Sequence, residues 1–169
     1  MTSTGGDGAR AWVDVDLSAL VANARTVMVR SGARLLPMVK ANGYGLGAVR
    51  VARALDALDP WGFGVATAGE GAELRAAGIG RPIVVFTPLL PGWREACLAA
   101  DLTPVVGDAA ALACWRSTGR PFHVEIDTGM GRAGVRWDDA ASLERIRTAL
   151  RDGAACEGVF THFHSAETD

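Results

Sequence analysis

Short runs of β-branched and apolar residues recur along this chain at a spacing of roughly twenty residues, separated by stretches rich in Ala, Leu and Arg. The runs predict strands over Arg34–Lys40, Trp61–Thr67, Pro82–Thr87, Leu102–Val106, Pro121–Asp127 and Cys156–Phe163. The intervening stretches predict helices over Gly47–Leu58, Gly69–Ala77, Gly92–Ala100, Asp108–Ser117 and Asp138–Arg151. Asp108 and Asp138 are placed to accept from the first free N–H groups of their helices, and Gly78 and Gly119 to end the preceding ones. Ahead of the first strand, Trp12–Asp16 reads as a short extended lead-in. Ser18–Val29 reads as a helix whose apolar stripe is Leu20, Val21, Ala24 and Val27.

Strands that alternate strictly with helices of this length pair in parallel through right-handed crossovers. No GxGxxG turn follows the first strand, which argues against a dinucleotide-binding sheet. Six strand–helix units in a 169-residue chain are instead expected to form a partial (β/α)8 barrel, an α/β fold short of the eight strands that closure needs. Met1–Arg10 reads as a flexible tail and residues 11–169 as one partial barrel domain. The net charge of −2 offers no basic surface for nucleic acid, and no apolar run approaches the roughly 20 residues of a membrane span. Three scattered cysteines, Cys97, Cys114 and Cys156, form no CxxC pair and suit free thiols in a reducing cytoplasm.

In a parallel barrel the carboxyl ends of the strands open on one face, and the reactive residues of this sequence gather there. Lys40 ends the first strand, Asp127 to Arg132 follow the fifth, and Thr161-His162 close the sixth. Lys40 is the only lysine among 17 basic residues, the others being arginines. An arginine stays protonated, whereas a lysine at an apolar strand end can lose its proton and attack a carbonyl. The motifs are Val39-Lys40-Ala41-Asn42-Gly43-Tyr44-Gly45-Leu46-Gly47, then His123-Val124-Glu125-Ile126-Asp127-Thr128-Gly129-Met130-Gly131-Arg132-Ala133-Gly134, and finally Gly158-Val159-Phe160-Thr161-His162-Phe163-His164. By strand alternation His123, Glu125 and Asp127 share one face, opposite Phe122, Val124 and Ile126. His162-x-His164 has metal-compatible spacing, but the sequence offers no further ligand set, and no metal is expected.

These three motifs, in this order, resemble those of the alanine racemase family, in which a pyridoxal 5'-phosphate (PLP) barrel precedes a β-rich domain. The resemblance covers residues 11–169. It implies that Lys40 forms the imine with PLP and serves as acid/base on one face of the substrate. It also implies that Tyr44 helps to hold the phosphate, that Arg132 hydrogen-bonds the phenolic oxygen, and that His162 packs against the coenzyme ring. Many racemases carry a lysine, carbamylated and negative, where this chain has Glu125. A carboxylate standing there in its own right is expected to pair with Arg132 and orient it. Leu46 stands where histidine is common, which bears on substrate range, and His164 where a small residue is usual. The family reading implies an isomerase that interconverts L- and D-alanine for peptidoglycan, cytoplasmic and homodimeric when whole. It also implies that the second base, a tyrosine of the partner subunit, lies outside this chain, so that the chain alone is a poorly active or inactive amino-terminal fragment. The alternatives are another barrel PLP enzyme, such as a serine or broad-specificity racemase or an amino acid decarboxylase, and a non-catalytic PLP-binding protein.

Overall fold

A computed structural model describes residues 11–165. The tail expected over residues 1–10 lies outside the described residues, as do residues 166–169. Helix α1 (Leu17–Ser31) begins where Asp16 accepts from the N–H groups of Ser18 and Ala19, and ends at Gly32 with φ +63°. The chain then runs through Leu35–Val39 beside β1 (Phe63–Val65). The Val39 N–H donates to the Gly64 carbonyl and the Gly64 N–H to the Pro37 carbonyl, both at 2.8 Å. The strand expected over Arg34–Lys40 is thus reduced to one parallel bridge, Met38 to Gly64. Pro37, which has no N–H to give, sits within this stretch.

After α2 (Ala48–Asp56), the alternation runs β1, α3 (Ala68–Ala76), β2 (Ile83–Pro88), α4 (Arg94–Ala99), β3 (Thr103–Val106), α5 (Ala109–Arg116) and β4 (Phe122–Asp127). The short β5 (Val135–Arg136), α6 (Ala140–Arg151) and β6 (Cys156–Phe160) complete it. Every pairing is parallel, in the order β1-β2-β3-β4 with β6 on β4. β5 pairs with the last two residues of β4, where β3 has ended, and Gly107 at the end of β3 lies against Gly134. The architecture is a partial parallel α/β barrel.

Three local expectations are corrected. β5 was not expected, because two residues carry no readable alternation. The helix expected from Gly92 splits into a 3₁₀ turn (Pro91–Trp93) and α4, with Pro91 opening the turn. α6 is capped by Asp139, whose side chain accepts from Ser142 N–H, while Asp138 forms a bidentate pair with Arg136. Asp108 caps α5 as expected, accepting from Ala111 N–H at 2.7 Å.

Register separates two compartments. Phe63, Val65, Ile83, Val85, Val106, Phe122 and Val124 face the helices and pack with Val51, Leu55, Leu74, Leu112, Trp115 and Ile146. Trp115 is fully buried, and its indole N–H donates to the carbonyls of Arg120 and Pro121. Burial of such a side chain stabilises the fold by about 3–5 kcal/mol relative to alanine. The alternate residues line the concave inner face in register: Met38, Gly64, Val84 and Thr103 along one row, Val105, His123 and Gly158 along another. Gly64 leaves room there for Met38 Sδ and the Phe86 ring, and Gly158 for the His123 ring.

Candidate active site

Immediately after Lys40 the backbone enters a turn of the wrong hand. Ala41, Asn42, Gly43 and Tyr44 all have φ between +50° and +64°, and Gly45 follows at +85°. Each non-glycine residue held this way costs on the order of 1–2 kcal/mol, and asparagine tolerates it best. The turn is held by many bonds. Gly43 N–H donates to the Val39 carbonyl, Gly45 N–H to Ala41 and Gly47 N–H to Asn42, at 2.8–3.0 Å. The Asn42 side chain accepts from Ala48 N–H at 2.9 Å and so caps the start of α2. Gly43 suits its place on two counts, since its φ is +64° and a Cβ would lie a tight 3.2 Å from the Ala48 backbone. Lys40 therefore leaves the inner face at a point fixed on both sides.

The loop after β4 is built around Asp127. Its carboxylate accepts from the N–H groups of Gly129 and Gly131 at 3.0 Å, and these bonds, Gly131's first, hold its pKa below the ordinary carboxyl range. Arg132 follows directly. Beyond the paired ends of β4 and β6, the hydroxyls of Thr128 and Thr161 lie 2.7 Å apart, tying this loop to the chain leaving β6 one residue before His162. Gly134, at φ +95°, brings β5 onto β4, where a Cβ would stand 2.9 Å from Glu125 Cγ.

These pieces enclose one cavity of about 740 Å³, within the range of small-molecule sites. Lys40, Tyr44, Glu125, Arg132 and His162 all line it. Met38, Phe86 and Phe160 line it too, the two phenyl rings edge to face at 5.1 Å. The Lys40 ammonium stands 5.9 Å from the centre of the Tyr44 ring, and Tyr44, at 62% exposure, is open to a ligand. Glu125 is only 5% exposed. Burial raises its carboxyl above the ordinary value, opposed by the positive charge of Arg132 and then of His162. Arg132 thus attracts Glu125, but no ion pair within 4 Å joins them; the arginine remains exposed at the mouth. Leu46 packs toward the helix-side core rather than the cavity.

Deeper on the same face, His123 lies 5.3 Å from the Trp61 ring, and its buried Nε2 has no hydrogen-bond partner among the described residues. Burial pushes its pKa down, with Glu157 opposing. No group of three or more His, Cys, Asp or Glu side chains among the described residues has metal-site geometry. Residues to which the motifs assigned no role are Met38, Phe86 and Phe160, the last lying inside the third motif, together with Glu70, which accepts from the Ala41 N–H beside Lys40. The phenylalanines carried no sequence signal apart from their place in inward strand register.

The fold and site together define a class: a parallel α/β barrel segment carrying a single amine, a guanidinium and an imidazole at its carboxyl-terminal mouth. The family model "Alanine racemase, N-terminal domain" matches residues 15–169. The chain belongs to that family. It is 40% identical over 170 residues to an alanine racemase of Symbiobacterium thermophilum, and 36% identical over 164 residues to one of Halothermothrix orenii. Those alignments cover 95% and 92% of this chain. The chain spans only 45% and 43% of the two relatives. Among solved structures, an alanine racemase from E. faecalis superposes with a TM-score of 0.79 at 32% identity, over 92% of this chain and 44% of that one. Another, from Bartonella henselae "with covalently bound pyridoxal phosphate", has a TM-score of 0.78 at 24% identity, over 88% of this chain and 45% of that one, a likeness of fold alone.

Proposed function

We propose that this chain is the coenzyme-holding portion of a PLP-dependent racemase that interconverts L- and D-alanine. The observation that carries the reading is convergence. Lys40, Tyr44, Glu125, Arg132 and His162 come from three separate stretches of sequence and line one cavity.

The donor set fits the coenzyme. An amine is available for a covalent link to its aldehyde, a guanidinium for its phenolic oxygen and an imidazole plane for its ring. The phenol of Tyr44 is available for its phosphate, and the Phe86–Phe160 pair supplies an apolar floor. Bound PLP supplies the electron sink that acidifies the substrate Cα–H. Lys40 would hold the coenzyme and, as an amine at the cavity wall, would take or return a proton on the face it occupies. Arg132, permanently charged, holds an oxygen without donating its proton to it. Glu125 is buried within electrostatic reach of Arg132, and its ionised form is the negative charge that would draw the guanidinium toward the cavity, the part played by a carbamylated lysine in many racemases. The second proton-transfer group, a tyrosine of a partner subunit in a homodimer, belongs to the same proposal. So do the cytoplasmic location and the supply of D-alanine to peptidoglycan, for which the family relationship is the support. Among the described residues no helix is long and apolar enough to cross a membrane.

The test is reductive trapping. Incubating the chain with PLP and then borohydride should place a phosphopyridoxyl group on Lys40, found by peptide mass. Lys40→Arg should take none. A label elsewhere, or an unlabelled wild type, would overturn the reading.

A further inference from the structure

We propose that Glu70 is a positioning residue for Lys40, holding the lysine's turn against the end of β1 through a single bifacial carboxylate. The inference rests on the reading of Lys40 as the coenzyme lysine.

Glu70 lies in the first turn of α3. There it completes a reciprocal cap: its N–H donates to Thr67 Oγ1 at 3.2 Å, and its Oε2 accepts from Thr67 N–H at 3.3 Å. Such a cap uses one carboxylate oxygen. Oε2 also accepts from Ala66 N–H at 2.7 Å, at the point where β1 gives way to the cavity wall. The other oxygen, Oε1, points away from the helix and accepts from Ala41 N–H at 2.8 Å, 29 residues back along the chain. Ala41 is the first residue of positive φ after Lys40. Its N–H belongs to the peptide unit that Lys40's own carbonyl closes. That N–H finds no backbone carbonyl among the turn's hydrogen bonds, and the carboxylate is its acceptor.

A helix cap alone needs a Glu or Gln with one free oxygen. Only a side chain with two acceptor oxygens can also hold a second peptide without placing a donor against a donor. Ionised, it makes charge-assisted bonds of the stronger kind. It thereby joins three elements: β1, α3 and the left-handed turn. The Lys40 Cα cannot drift from Ala66, another residue of the cavity lining, without breaking it.

Four versions of the chain test this: wild type, Glu70→Ala, Glu70→Gln and Thr67→Ala. Two measurements serve: the rate of borohydride-trapped PLP attachment to Lys40, and amide hydrogen exchange over residues 41–45. Glu70→Ala should slow attachment by roughly tenfold and lose exchange protection in the turn. Glu70→Gln, which keeps one acceptor oxygen, should fall between it and wild type, and it carries the test if the alanine variant does not fold. Thr67→Ala breaks the helix-side half of the cap but leaves all three Glu70 acceptor bonds. It should attach PLP within about twofold of wild type and keep its turn protected. Glu70→Ala or Glu70→Gln matching wild type, or Thr67→Ala slowing attachment as much as Glu70→Ala, overturns the inference alone. A wild-type chain that takes no label overturns it together with the functional reading.

Discussion

Replacing Gly134 by alanine adds one methyl group at the seam between β4 and β5, and its cost divides into two parts. Gly134 has φ +95°, so any side chain there is strained, at about 1–2 kcal/mol. The new Cβ would also lie 2.8 Å from the Glu125 carbonyl oxygen, 2.9 Å from Glu125 Cγ and 3.0 Å from the Asp127 nitrogen. Two of those three neighbours are backbone atoms of a strand paired on both sides, so they yield little, and overpacking of this kind adds about 1–3 kcal/mol. The sum is about 3 kcal/mol. With a urea slope of about 2 kcal/mol per molar, the unfolding midpoint should fall by about 1.5 M. Gly131→Ala is the matched control. Its φ is +69° but nothing lies within 4 Å of the added carbon, so it should cost about 1 kcal/mol. Urea unfolding followed by far-ultraviolet circular dichroism measures both. A Gly134→Ala midpoint no lower than that of Gly131→Ala would refute the steric part, and with it the close seating of β5 on Glu125.

The Glu125 carboxyl is raised by burial, so from its ordinary value near 4.5 up to the raised one the folded chain holds a proton that the unfolded chain has released, and stability is lost as pH climbs through that window. Glu125→Gln should remove this decline, gaining on wild type as pH rises above about 4.5 in denaturant titrations; parallel curves would reject it. His123 is depressed by burial, so the unfolded chain takes up a proton first, and stability should drop as pH falls below about 6.5. His123→Phe, which keeps a ring against Trp61, should flatten that slope in the same titrations. Cys97 is fully buried and its thiol is pushed up to about 11. A thiol reagent at pH 8 should leave Cys97 untouched in the native chain and modify it on unfolding, as peptide mapping would report.

The parallel alternation was legible because apolar or alternating runs, such as Ile83–Phe86 and Phe122–Asp127, are separated by helical stretches with readable starts, such as the Asp108-capped α5. Family motifs marked Lys40, Tyr44, Glu125, Arg132 and His162, and the fold brings all five to one cavity. What stayed hidden depends on distance in sequence. Thr67-x-x-Glu70 is readable as a helix cap from four residues. Its third bond, to Ala41, exists only because a strand, a turn and a helix meet in space. The first strand failed as a ladder for a local reason, a proline at position 37 whose nitrogen has nothing to donate. β5 is pinned by the tight seat of Gly134 rather than by any alternation of its own two residues.

The two faces of the sheet do different jobs. Helices pack on one side only, through residues that are almost wholly enclosed, whereas Met38, Phe86 and Phe160 around the cavity are only half-buried. Exchanging those three for other apolar side chains would reshape what the mouth admits and leave the helix-side packing intact. The shape of the cavity is therefore free to change over generations on a scaffold that need not be rebuilt each time.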